Sequence, residues 1–208
     1  MIELLTADTP NGKKISIMLE EIKFDYKVTK INIFKDEQFK PEFKKLSPFS
    51  KIPVIIDHDK KISLFESGAI LIYLGEKSGK FYDKDCRTII NQWLMGQMAY
   101  VGPMLGQHHQ FHHYNPGKSE FGEKRYFKIS ERIYKELDER LMKSKFLAGD
   151  DYTIADIATF PWIARHEWHD IGLKKFKNLT RWYKEISDRE AVKTGYDLLN
   201  TGDKIPKV

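Results

Sequence analysis

Two hydrophobic periods alternate at the start of the chain. Ile2 to Leu5 is a short apolar run that ends in the polar turn Thr6-Ala7-Asp8-Thr9-Pro10-Asn11-Gly12, the pattern of a short strand and its loop. Ile15, Met18, Leu19 and Ile22 then recur on one helix face, which predicts a helix from about Asn11 to about Lys23. Tyr26, Val28 and Ile31 return to near-alternation and mark a second strand. Phe34 to Lys45 is mixed and lysine-rich with Pro41 at a helix start, and reads as a loop and a short helix. Lys51-Ile52-Pro53-Val54-Ile55-Ile56 is β-branched around a proline, which has no N–H for a ladder and belongs at the beginning of a strand or in a turn. Ile62-Ser63-Leu64-Phe65 makes a fourth strand, and Ser67 is placed to N-cap an apolar helix over Ala69 to Glu76. This order is βαβ followed by ββα. With a right-handed crossover it closes a mixed four-stranded α/β sheet of thioredoxin-like layout.

After Ser78-Gly79-Lys80 no strand pattern returns. Phe81 to Asp85 reads as a linker, and Ile89, Ile90, Trp93, Leu94, Gln97, Met98 and Val101 follow a helical period that Pro103 is expected to kink or end. Asn115-Pro116-Gly117 is a loop before a long helix over Phe121 to Lys143, with Tyr126, Ile129, Ile133, Leu137 and Leu141 on one face. Thr153 and Asp156 have the spacing of a capping box, and Tyr152 and Ile157 that of a hydrophobic staple. A cap accounts for Asp156 without catalysis. Two domains are therefore expected, a thioredoxin-like one over 1–80 and an all-α one over 87–208.

Composition narrows the classes of function. A chain of 208 residues with 41% hydrophobic and 31% charged residues is that of a globular protein with one sizeable core or two small ones. The net charge of +5 arises from 35 basic and 30 acidic residues that are interspersed, so nucleic-acid binding is not expected. No apolar run approaches the roughly 18 residues that span a bilayer, and the N-terminus lacks the order of a signal peptide. No membrane association and a cytoplasmic location are the resulting expectations. Cys86 is the one cysteine, in the linker and outside every motif, so an internal disulfide is excluded.

Candidate chemistry gathers in the first domain. Asp8-Thr9-Pro10-Asn11 lies between the first strand and first helix, where a thioredoxin holds its C-x-x-C, yet it has no cysteine. Helix N-terminal N–H groups and the Thr9 hydroxyl favour a thiolate, and the thiol would have to come from a ligand. The plainer reading of Thr9-Pro10-Asn11 is a turn and an N-cap. The backbone around Ile52 has groups free to pair outside a strand, and the helix start at Glu66-Ser67 offers N–H groups suited to a carboxylate or phosphate. In Gln107 to His113, His108 with His112, or His109 with His113, share a face if helical. They could chelate a metal, although no cysteine or carboxylate nearby completes a site, so no metal is expected. Otherwise they would line a ligand pocket or the cleft between subunits, and the spacing of Trp162, Arg165, His166 and Trp168 permits either that pocket or a core helix.

T-P-N-G at the first helix, Gln38, K-I-P, F-E-S-G-A-I-L-I-Y-L, G-P-M-L-G-Q and F-L-A-G-D-D-Y-T-I-A-D-I-A together resemble the nu-class glutathione transferases, in order and over nearly the whole chain. The resemblance implies the cytosolic glutathione transferase fold and glutathione-dependent reduction of disulfides, with glutathione as co-substrate and small disulfides or electrophiles as the other ligand. Weak conjugating or peroxidase activity would be secondary. By the same resemblance Thr9 and Asn11 lie beside the glutathione sulfur, Pro53 is cis, and Gln38, Lys51, Ile52, Pro53, Glu66 and Ser67 hold the peptide. Arg132 would reach the ligand of the other subunit of a homodimer; its plainer reading is a helix-surface residue paired with Glu136. Phe49-Ser50 departs from the family pattern before K-I-P, and Phe49 is read as an interface residue rather than a core one. A non-catalytic binding or regulatory protein on the same scaffold is the alternative.

Overall fold

The computed structural model describes the whole chain, Met1–Val208, as two compact units. The first comprises Met1–Lys80 together with Glu190–Lys204. It contains β1 (Ile2–Thr6), α1 (Pro10–Ile22), β2 (Tyr26–Lys30), α2 (Pro41–Leu46), β3 (Val54–Asp57), β4 (Ile62–Phe65) and α3 (Ser67–Ser78), with short 3₁₀ turns at Ile33–Lys35 and Glu37–Phe39. The sheet order is β2-β1-β3-β4, with β1 parallel to β2 and β3 antiparallel to both of its neighbours. This is the βαβ–ββα layout that the sequence pattern predicts.

The alternation of side chains explains how the sheet is covered. Ile2, Leu4 and Ile55 are buried, as are Ile15, Met18, Leu19 and Ile22 on the predicted stripe of α1 and Ile70, Leu71 and Leu74 on α3. Leu5, Ile31, Phe43 and Val54 form a separate cluster with Ile52 and Phe65 against it. The β3–β4 turn is fastened by the buried Asp57, which accepts from the Tyr73 hydroxyl at 2.5 Å, from Lys77 Nζ, and from the N–H groups of Asp59 and Lys60. A last helix of this unit, Glu190–Tyr196, packs on α1 closely enough that a Cβ on Gly195 would come within 2.6 Å of Ile17 Cα. Ser16 Oγ donates to the Gly195 carbonyl at 2.5 Å across that contact.

The second unit, Phe81–Arg189 with Ile205–Val208, is helical. Its helices are α4 (Arg87–Gly96), α5 (Gly102–His108), α6 (Glu120–Lys143), α7 (Ile154–Ile163), α8 (His166–His169) and α9 (Lys177–Ser187), so the helix Glu190–Tyr196 is α10. Pro103 does not end its helix. A π-helical turn over Gln97–Val101 precedes it, and the wider turn passes the proline, which has no N–H to bond, into α5. A second π-helical stretch follows over His109–Tyr114. Ser119 caps α6 by accepting from Gly122 N at 3.1 Å.

The capping box at α7 forms as its spacing predicts. Thr153 Oγ1 accepts from Ala155 N, and Asp156 Oδ2 accepts from Thr153 N at 3.0 Å. Asp156 Oδ1 also accepts from Leu147 N at 2.9 Å and from Trp182 Nε1 at 2.8 Å. The carboxylate therefore ties α7, α9 and the segment before α7 into one core. No helix of the chain is long and apolar enough to cross a membrane.

Candidate active site at one edge of the sheet

Strand register alone brings distant residues together. Thr6, the last residue of β1, is opposite Lys30 at the end of β2; Leu5 is opposite Val54 at the start of β3, and Val54 opposite Phe65 at the end of β4. The segments leaving β1, β2 and β4 and the one entering β3 consequently share one edge. They carry Thr9 and Asn11, Gln38, Lys51 to Pro53, and Glu66 with Ser67. Arg132 is not among them: it is exposed on α6 in the helical unit, where the ion pair formed near it is Lys135–Glu139 at 3.8 Å rather than one to Glu136.

Thr9 is the N-cap of α1. Its backbone is extended (φ −140°, ψ 158°), its Oγ1 accepts from Gly12 N at 3.1 Å, and Pro10 follows at the first helical position, where a missing N–H costs nothing. With the oxygen engaged as acceptor, the hydroxyl hydrogen remains to be donated. Asn11 is half-buried in the first turn, which contains no acidic residue. A polarisable anion placed there meets the positive end of the helix and a hydroxyl donor.

The Ile52–Pro53 bond is cis, and the β3 ladder begins at Val54, so Ile52 lies outside the paired residues. Ser47, itself buried, pins the approach: its Oγ donates to Lys51 O at 2.9 Å and accepts from Lys51 N at 3.1 Å. The Lys51 side chain is exposed. Gln38 Nε2 donates to Ile33 O at 3.3 Å, while its Oε1 is buried with no hydrogen-bond partner. A buried carbonyl of this kind is costly unless something donates to it.

Glu66 has φ 69° and ψ 112°, a conformation that side chains other than glycine adopt only under strain. That sharp turn carries the chain from β4 directly into α3. Ser67 is therefore the first helical residue instead of the expected cap, and Glu66 holds the cap position without a side-chain cap bond. The Ser67 hydroxyl accepts from Lys14 Nζ at 3.4 Å.

Lys14 is the site residue that sequence reasoning missed. It is 1% exposed, and burial pushes its ammonium down to about 7 against the opposing pull of the Glu66 charge. The signal was present, since residues 14, 18 and 22 fall on the apolar stripe of α1, but a lysine at the first of these reads as polar surface.

In the helical unit the histidines pack with one another. His108 stacks on His112 at 4.8 Å between ring centroids, His113 stacks on Trp168 at 4.1 Å, and Arg165 lies over Trp168 at 4.6 Å. His109 Nε2 is 2.7 Å from His169 Nε2, His169 Nδ1 is 2.6 Å from the Tyr134 hydroxyl, and His108 Nε2 is 2.9 Å from the His169 carbonyl. Burial pushes His109 down to about 3 and His169 well below the ordinary histidine value, so both rings are neutral near pH 7. His108 and His109 are buried in this unit. Three or more His, Cys, Asp or Glu side chains arranged to hold a metal are not found. Cys86 is exposed at the start of α4.

The chain matches the family model of the glutathione S-transferase N-terminal domain over residues 3–76 and that of the C-terminal domain over residues 100–190. It is 43% identical over 206 residues to the disulfide-bond oxidoreductase YfcG of Escherichia coli K12, covering 96% of this chain and 95% of that one. Among solved structures it is similar to a glutathione transferase from Burkholderia graminis with two glutathione molecules bound per subunit (TM-score 0.89, 38% identity, 94% of this chain and 87% of that one). It is equally similar to a glutathione transferase from Pseudomonas putida with one glutathione disulfide bound per subunit (TM-score 0.89, 40% identity, 95% and 91%). By the two domain models and by this identity over nearly its full length, the chain belongs to the glutathione S-transferase family.

Proposed function

We propose that the protein reduces disulfides with glutathione, the reacting sulfur belonging to the ligand. The observation that carries this reading is the α1 N-terminus: a cap hydroxyl with its hydrogen to donate, no acid in the first turn, and no cysteine in the loop. A relative named as a disulfide-bond oxidoreductase and neighbours holding two glutathiones or their disulfide support it.

The reaction balances with two glutathiones. One thiolate attacks a sulfur of the incoming disulfide, forming a mixed disulfide and expelling one thiolate. The second glutathione thiolate attacks the glutathione sulfur of that mixed disulfide and expels the other. Two protons pass to the released thiols, and the two glutathiones leave joined as their disulfide. The attacking thiol must be ionised near neutral pH, and orientation of both sulfurs supplies the rest. In this reading Thr9 and Asn11 stabilise the thiolate, and the backbone of Ile52 before cis-Pro53 pairs with the glutathione peptide. Gln38 and Lys51 help to hold the peptide, while Glu66 and Ser67 hold the γ-glutamyl end. Weaker conjugation of electrophiles or reduction of hydroperoxides would use the same thiolate.

The functional unit we propose is a homodimer. Phe49 is 69% exposed with only an edge-on contact to Phe65 at 6.3 Å, so a second copy would remove an aromatic ring from water. Arg132 would act within that dimer.

Steady-state reduction of a small organic disulfide tests the assignment through two variants. Thr9→Ala should lower kcat about tenfold or more with little change in KM for glutathione, because one donor to the developing charge is lost. Ser67→Ala should mainly raise that KM. Wild-type kinetics in both variants would remove these residues from the site.

A further inference from the structure

Lys13 is a second lysine withdrawn from water, at 3% exposure, and three stretches of chain meet on its amine. Nζ lies 2.6 Å from Asp8 Oδ1 and 3.1 Å from Asp203 Oδ2, donates to the Tyr196 carbonyl, and sits 4.0 Å from the centre of the Tyr196 ring. Asp8 is gripped from the other side by Thr201, whose Oγ1 donates to Asp8 Oδ2 at 3.1 Å. The turn at Thr201 is itself closed by Asp197 Oδ1, which accepts from Thr201 N at 2.8 Å and from Gly202 N at 3.1 Å. The charged groups around the amine are thus Asp8 from the β1–α1 turn and Asp203 from the C-terminal segment, with Asp197 inside that segment's turn. Lys14, next along the helix, directs its amine to Ser67 instead.

Asp8 immediately precedes Thr9. A carboxylate ahead of the α1 N-terminus competes with any other anion for the positive end of the helix, and repels a thiolate nearby. The partly buried carboxylates of Asp8 and Asp203 also need a cation, since neither is fully hydrated where it lies. Lys13 answers both needs, and it does so by fastening the residues after α10 to the turn that carries the cap hydroxyl.

We propose that Lys13 is a positioning residue that clamps the C-terminal segment to the Asp8–Thr9 turn and offsets the Asp8 charge beside the thiol of bound glutathione. The electrostatic half rests on the disulfide-reductase reading; the clamp does not. Two measurements on the full-length protein separate them. The first is hydrogen exchange, without glutathione, of the amides in residues 7–11 and 197–203. Lys13→Met should accelerate exchange in both segments by about tenfold, and Lys13→Arg, which keeps the charge, should stay near wild type.

The second is the thiol pKa of bound glutathione, followed by thiolate ultraviolet absorbance. Lys13→Met should raise it by roughly half a unit to one unit, Asp8→Asn should lower it, and the double variant should return close to wild type. Opposite signs that cancel are not produced by a residue that merely supports the fold. Shifts of the same sign, or none, would overturn the electrostatic half, and unchanged exchange in Lys13→Met would overturn the clamp. Should wild-type protein leave the glutathione thiol at its free value, the functional reading fails together with the electrostatic half, and the exchange result still decides the clamp.

Discussion

A lysine amine buried against a serine hydroxyl sets the pH response of the site at the residue scale. The folded state favours the neutral form of Lys14, with a pKa of about 7, whereas the unfolded chain keeps the ordinary lysine value. Between about pH 7 and about pH 10 the unfolded state therefore binds more protons, and stability rises with pH across that window. Lys14→Met should abolish this slope and be more stable than wild type at pH 6. Urea unfolding at several pH values checks it; a wild-type slope in the variant would place the titration elsewhere. Thr9 was legible in the sequence because a cap before a proline is a local pattern. The conformation of Glu66 was not, since nothing in F-E-S-G requires φ 69° from the glutamate rather than from a glycine. That one dihedral moved the start of α3 and turned Ser67 from an expected cap into the first helical residue.

At the scale of elements, period and cap chemistry carried most of the information. The stripe on α1 and the box at α7 are both where spacing puts them, because each depends on neighbours within a turn or two. Asp156 shows how much such a box can gather. Burial raises its carboxyl pKa even though Leu147 N, Trp182 Nε1 and the Thr153 N–H and hydroxyl all donate to it. Asp156→Ala strands these buried donors and should cost about 3 kcal/mol in urea unfolding, with Asp156→Asn costing less. A loss below about 0.5 kcal/mol would mean that the cap is dispensable. Pro103 marks the limit of element-level reading. Its ring forbids an ordinary helical bond, but whether the chain stops or widens into a π turn depends on packing that a local window does not contain.

Across the whole molecule, the histidine core should govern acid stability. Burial holds His109 at about 3 and pushes His169 well below the ordinary histidine value of about 6.5, so the unfolded chain binds more protons than the folded one below that value. Stability should fall as pH drops from about 6.5 toward about 3, and His109→Gln should flatten that fall. An unchanged pH profile in the variant would refute the assignment. Dimer formation is testable by sedimentation: Phe49→Glu should shift the protein toward monomer by placing a charge where a ring would be buried, and an unaltered profile would exclude Phe49 from the interface. Long-range placement was the least legible part of the sequence. Gln38, Pro53 and Ser67 share an edge because of strand register, which local patterns only imply. The return of α10 to α1 depends on Gly195 approaching the Ile17 backbone, a contact between positions 178 apart that no periodicity announces.

In the proposed reaction the sulfur chemistry belongs to the ligand. Steady-state reduction of a small organic disulfide by glutathione, with wild type and Cys86→Ser side by side, tests it most directly. Turnover well above the uncatalysed rate in wild type, and equal in Cys86→Ser, is the predicted result. Turnover that disappears in Cys86→Ser would assign the chemistry to the protein's own thiol, and no rate above background in wild type would contradict the reductase reading itself.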